Sequence, residues 1–110
     1  MKKILAYKNC YLDFYDSLKQ DEKDKVDRVM MLMQSYDRMP THYIRFLKNG
    51  IFELRISVQN KELRILFIYD GSDIVILLNC FVKKTRKTPG KELKKAIRLK
   101  QEYEESKTSG

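Results

Sequence analysis

Tryptophan is absent from this chain, histidine occurs once, and the two cysteines lie far apart in sequence. A lone His42 with no close Cys pair cannot supply a zinc ligand set, so no metal and no cofactor are expected. Long hydrophobic runs are missing too. None is longer than residues 74–78, which have the length of a strand and fall far short of a membrane span. The opening residues carry too few apolar side chains for a secretory signal, which predicts a cytoplasmic protein. Cys10 and Cys80 then read as reduced, partly buried small hydrophobes. Prolines number two and glycines four, with no repeat or low-complexity segment to mark a linker. One domain is expected over residues 1–105, followed by a frayed polar tail at 106–110.

What the chain does have is a concentrated positive charge. Residues 83–100 hold nine Lys or Arg against one Glu, which is the whole formal net charge of +8. Elsewhere the charges balance, 14 cations against 14 anions. A charge so localised suits a polyphosphate partner. A solvated helix face normally carries i,i+4 pairs of opposite sign, and this stretch forgoes them. Lys83, Lys84, Arg86, Lys87, Lys91, Lys94, Lys95 and Arg98 are therefore candidate anion-binding residues.

Hydrophobic spacing predicts the elements around it. Residues 3–7 form a short opening strand. Tyr11, Phe14, Tyr15 and Leu18, then Val26, Val29, Met30 and Met33, recur at helical spacing, giving a helical hairpin over residues 8–38 that starts its second helix near Asp21. After the Asn49-Gly50 turn, Phe52, Leu54, Ile56 and Val58 alternate with polar residues; so do Leu63, Ile65, Phe67 and Tyr69. Residues 74–82 are almost wholly apolar, the mark of the most buried strand. Tight connections make these three an antiparallel meander. Thr88 suits a helix N-cap and Pro89 the first turn of a closing helix whose apolar side is Leu93, Ala96, Ile97 and Tyr103. The expected fold is α+β, with the helices on one face of the sheet.

Period-two alternation then places the chemistry. If Leu54 and Ile56 face the helices, Glu53 and Arg55 face away, and Arg64 on the neighbouring strand joins them. Lys83 and Lys84 overhang the same face from the end of the last strand. RNA cleavage needs a proton acceptor for the 2′-hydroxyl, cations around the pentavalent phosphorane and a donor to the leaving oxygen. Guanidinium groups match the phosphate oxygens, and Glu53 is a candidate base. The same pattern also suits cross-strand ion pairs that solubilise an exposed face. His42, with nothing in sequence to orient it, reads as a surface residue.

Three segments resemble a known group: Phe52-Glu53-Leu54-Arg55, Leu63-Arg64-Ile65-Leu66, and the run from Phe81 through Lys83-Lys84-Thr85-Arg86-Lys87 to Pro89. Together they are similar to the RelE/ParE toxin superfamily, and among its branches to the phage-derived, HigB-like toxins of type II toxin–antitoxin systems. The resemblance implies a RelE-like fold and a metal-independent endoribonuclease that cuts mRNA on the ribosome. It also implies neutralisation by a helix-turn-helix, HigA-like antitoxin. By position, Glu53, Arg55, Arg64, Lys83 and Lys84 would be catalytic, with Arg86, Lys87, Lys91, Lys94, Lys95 and Arg98 binding RNA. RelE-type toxins carry lysines where this chain has Glu53 and Arg55, so the resemblance leaves the base and acid unassigned. The alternative is a non-catalytic member, either a ParE-like gyrase inhibitor or a phage-derived binding protein.

Overall fold

The structure, a computed structural model, describes residues 1–108. Its elements run β1 (Lys3–Ala6), α1 (Cys10–Asp16), α2 (Gln20–Ser35), β2 (Ile44–Lys48), β3 (Ile51–Val58), β4 (Lys61–Asp70), β5 (Ile74–Val82) and α3 (Gly90–Thr108). The class is α+β, compatible with a RelE-like fold. The central meander β3–β4–β5 forms where alternation placed it. The sheet is larger than that meander, however, with five strands in the order β1-β5-β4-β3-β2.

Two strands complete it. β1 lies parallel to β5, with Leu5 opposite Ile76, so the sheet is mixed rather than purely antiparallel. β2 pairs antiparallel with β3 through the turn at Asn49 and Gly50, both at positive φ as a tight hairpin demands. β2 was not expected from the sequence. Its register shifts between Phe46 and Lys48, so Leu47 is an extra residue that breaks the alternation a strand would advertise.

α2 starts at Gln20, just ahead of the expected Asp21. The Lys19 N–H donates to Glu22 Oε1 at 2.9 Å, satisfying one free donor at the helix start. Lys61 reaches Glu22 Oε2 at 3.0 Å and ties the helix to the β3–β4 turn. α2 buries Val26, Val29 and Met33, and the α1–α2 connection buries Leu18, against Leu54, Ile56, Leu63, Ile65, Phe67, Val75 and Leu77, with Tyr11, Phe14 and Tyr15 of α1 packed at the edge. Full burial of one such side chain contributes about 1.5–3 kcal/mol.

α3 does not share that face. It packs Ala96 and Leu99 onto Ile51, Leu66, Ile68, Ile76 and Leu78, a second core on the opposite side of the sheet. The expectation of helices on one face is thus corrected. Alternation itself supplies the reason: Ile51, Leu66, Ile68 and Ile76 are apolar on the face away from α2 and need cover of their own. A bulge assists, because Leu78 and Asn79 of β5 together oppose Leu66 of β4. Asn79 therefore faces α3 and donates from Nδ2 to both the carbonyl and Oε1 of Glu92, each at 3.0 Å. The helix also runs on through residues 106–108 of the expected tail; residues 109–110 lie outside the described residues. Cys10 and Cys80 are free and half-buried. No described helix is long and apolar enough to cross a membrane.

Candidate functional site

Because α3 covers only part of its face, one end of the sheet stays open. Strand register gathers the polar groups there. Arg45 is opposite Glu53, Arg55 opposite Arg64, and Ser57 opposite Glu62. Opposed residues project from the same face, about 5 Å apart. Lys83 follows from β5, its N–H donating to the Glu62 carbonyl at 2.7 Å. Glu53, Arg55, Arg64 and Lys83 are thus brought to one place. Arg45 joins them, a residue the sequence reading missed because its strand was missed.

Burial divides the group by role. Glu53 is wholly buried, and Arg64 is 3% exposed. Arg64 Nε lies 3.8 Å from Glu53 Oε1, and neither atom has a hydrogen-bond partner in the protein. The remaining guanidinium nitrogens reach Glu62 Oε1 at 3.2 Å and the Leu63 carbonyl at 2.9 Å. Glu53 Oε2 accepts from the Thr88 hydroxyl at 2.5 Å. A carboxylate so enclosed is a counter-charge beneath the cations, with no surface to offer a substrate. The accessible carboxylate is that of Glu62, held below the usual carboxylate range by the Ser57 hydroxyl and by Arg64 and Arg55.

Positive charge is in excess at this end. Among the described residues Arg45, Arg55 and Lys83 form no ion pair. Burial holds the Lys83 ammonium below the ordinary lysine value, opposed by Glu53 and reinforced by Arg64, Arg55 and Arg45. A shallow hollow there is lined by Glu62, Arg64, Lys83, Lys84, Thr85 and Arg86. The loop holding Thr85 and Arg86 turns on itself, the Thr85 hydroxyl donating to the Lys87 carbonyl at 2.9 Å. Lys84 and Arg86 therefore rim the site, and Lys87 is exposed on the same loop.

The other basic residues lie elsewhere. Lys91, Lys94, Lys95 and Arg98 line a hollow along the outer side of α3, with Glu92 and Gly90. Their spacing of three and four is one helix face. They form a second cationic surface, and the expectation that this stretch forgoes i,i+4 pairs is corrected: the acids lie one turn beyond it, Glu102 pairing with Arg98 at 3.7 Å and Glu104 with Lys100 at 3.5 Å. His42 is drawn towards the site by the fold, lining a hollow with Lys25, Tyr43, Arg55, Ser57 and Glu62. No group of three or more His, Cys, Asp or Glu among the described residues is placed to hold a metal ion.

This is a small basic α+β domain with a half-covered sheet and, among the described residues, two arginines without ion pairs at its open end. The chain belongs to the phage-derived Gp49-like family: the family model described as "Phage derived protein Gp49-like (DUF891)" matches residues 13–101. This is a toxin-like family related to the RelE and HigB group. No curated protein matches the chain.

Proposed function

We propose that this protein is the toxin of a type II toxin–antitoxin system and a metal-independent endoribonuclease acting on mRNA at the ribosome. One observation carries the reading: among the described residues Arg45, Arg55 and Lys83 form no ion pair, and they stand around Arg64 over a buried Glu53. Four cations, Arg45, Arg55, Arg64 and Lys83, against the two carboxylates of Glu53 and Glu62 leave a net positive charge suited to a phosphodiester passing through a dianionic phosphorane. The guanidinium and ammonium groups supply the positive charge that a metal would otherwise bring.

Roles follow from accessibility. Arg55 holds the non-bridging oxygens, and Arg64, fixed behind it by Glu53 and Glu62, adds its charge from below. The Glu62 carboxylate takes the proton of the 2′-hydroxyl as its oxygen bonds to phosphorus. The bond from phosphorus to the 5′-oxygen breaks, and the Lys83 ammonium protonates that oxygen. The products are a 2′,3′-cyclic phosphate and a free 5′-hydroxyl. A lowered pKa makes Lys83 a better acid than an ordinary lysine. Lys84 and Arg86 guide the flanking backbone, and the α3 stripe of Lys91, Lys94, Lys95 and Arg98 meets RNA phosphates further along. A helix-turn-helix antitoxin that covers or distorts the cationic end would silence the protein.

The test is expression in cells without any partner protein, followed by mapping of mRNA 5′ ends. Growth arrest with new mRNA ends is expected, and Arg64→Ala should lower cleavage by about 10²-fold or more. Normal growth with intact transcripts would overturn the reading. Arrest with DNA damage signalling and unbroken mRNA would replace it with gyrase inhibition.

A further inference from the structure

Beside Arg55 and Glu62 lies a hollow whose other lining residues, Lys25, His42, Tyr43 and Ser57, have no part in the scheme above. It encloses about 210 Å³ between Lys25 of α2, the segment before β2, and the ends of β3 and β4. Two backbone bonds fix its aromatic wall. Tyr43 N–H donates to the Pro40 carbonyl at 3.0 Å, and Arg55 N–H donates to the Tyr43 carbonyl at 2.7 Å. The first bends residues 40–43 into a turn. The second ties that turn to the strand carrying the phosphate-binding arginine. His42 is exposed at the end of this wall, its ring centroid 4.1 Å from that of half-buried Tyr43 and tilted by 39°.

An exposed ring supported from behind by a second ring contributes little to the core, yet it offers a free face. Beside it are a guanidinium, a hydroxyl and a carboxylate. Single-stranded nucleotides are held by such sets, their bases stacked on rings or guanidinium planes and their edges bonded to polar groups. Lys25 and Arg55 bring the charge that the neighbouring phosphates require.

We infer that this hollow is a nucleobase subsite, in which the base of the nucleotide bearing the attacking 2′-hydroxyl stacks on His42. Glu62 lines both this hollow and the one that holds Arg64 and Lys83, and Arg55 is paired across the strands with Arg64, so one nucleotide spans the two: base on His42, ribose at Glu62, phosphate on Arg55 over Arg64. The inference rests on the RNA-cleaving reading and adds a specificity element to it.

The experiment measures binding of a short single-stranded RNA, 2′-O-methylated to prevent cleavage, to the full chain and to three variants. His42→Ala should weaken binding about tenfold, while His42→Phe, which keeps a stacking ring, should bind within about twofold of the parent. Replacing one nucleotide of the RNA by an abasic residue should cost the parent affinity at one position and cost His42→Ala none there. Arg64→Ala, which removes the charge beneath the phosphate, should weaken binding to every RNA alike. Weakening by Arg64→Ala with parental affinity in His42→Ala would overturn the subsite alone. Parental affinity in Arg64→Ala would overturn the RNA-phosphate site itself, and the base subsite with it.

Discussion

Thr88 Oγ1 donates to Glu53 Oε2 at 2.5 Å, joining the end of the basic loop to the middle of β3 across 35 residues of sequence. The bond makes Glu53 a double tether, holding Arg64 on one oxygen and the loop on the other. Thr88 was expected to cap α3. Its hydroxyl instead satisfies a carboxylate that has no access to water, and α3 begins at Gly90, with the Glu92 and Leu93 N–H groups donating to the carbonyl of Pro89 just before it.

Loss of that donor should be felt in the fold. Thr88→Val keeps the shape and removes the hydroxyl, leaving a buried carboxylate oxygen unsatisfied. Stability should fall by about 1–3 kcal/mol, read from the urea unfolding midpoint. An unchanged midpoint would mean the bond contributes nothing.

Arg45 offers a contrasting case. It is exposed on an edge strand, so Arg45→Gln should leave the unfolding midpoint where it was. If Arg45 touches single-stranded RNA, the slope of log affinity against log salt should flatten by about 0.7, the share of one phosphate contact. A slope identical to the parent's would remove Arg45 from the interface.

Lys83 links binding and stability to alkaline pH in opposite directions. Burial and the surrounding arginines lower its folded-state pKa, while in the unfolded chain it titrates at the ordinary 10.5. Between those values the unfolded state binds more protons, so stability should rise with pH across the window. RNA affinity should fall across the same window, because the site loses a cation. Lys83→Gln should flatten both trends relative to the parent. Parallel pH profiles in parent and variant would refute the assignment.

Acid sensitivity should trace to the end of α3. Asp70 accepts from Tyr103 Oη at 2.5 Å and from Lys107 Nζ at 2.7 Å, which dock the helix end on β4. Lys107 and then Tyr103 hold the Asp70 carboxyl below its ordinary value. A depressed folded-state pKa gives stability that is complete above the unfolded value of 3.8 and lost as pH falls through the folded one. Asp70→Asn should therefore lower the neutral-pH unfolding midpoint and shrink the difference between neutral and acid conditions. An acid-unfolding curve unaltered by Asp70→Asn would disprove this.

Legibility varied with how local each rule was. Side chains alternate with period two wherever a strand is regular, so Leu54, Ile56, Leu63 and Ile65 were enough to put Glu53, Arg55 and Arg64 on one face. β2 escaped because the bulge at Leu47 breaks that rhythm, and Arg45 escaped with it. The place of α3 had a signal that went unused: Leu66, Ile68 and Ile76 are apolar on the side away from α2, and an apolar sheet face needs a covering layer. His42 had no such signal. Its position depends on a turn at Pro40 and on a backbone bond from Arg55, neither of which leaves a mark in residue type.

Residue order alone determined the three-strand meander, the helical stretches and the location of the charge, because periodicity and net charge are properties of neighbours along the chain. Depth was decided only by the tertiary structure. Register and the cover of α3 and its preceding loop turned Glu53 from a surface carboxylate into a sealed counter-ion, and left Arg45, Arg55 and Lys83 without ion pairs among the described residues. Desolvation depends on everything packed around a group, and that environment comes from segments far apart in sequence.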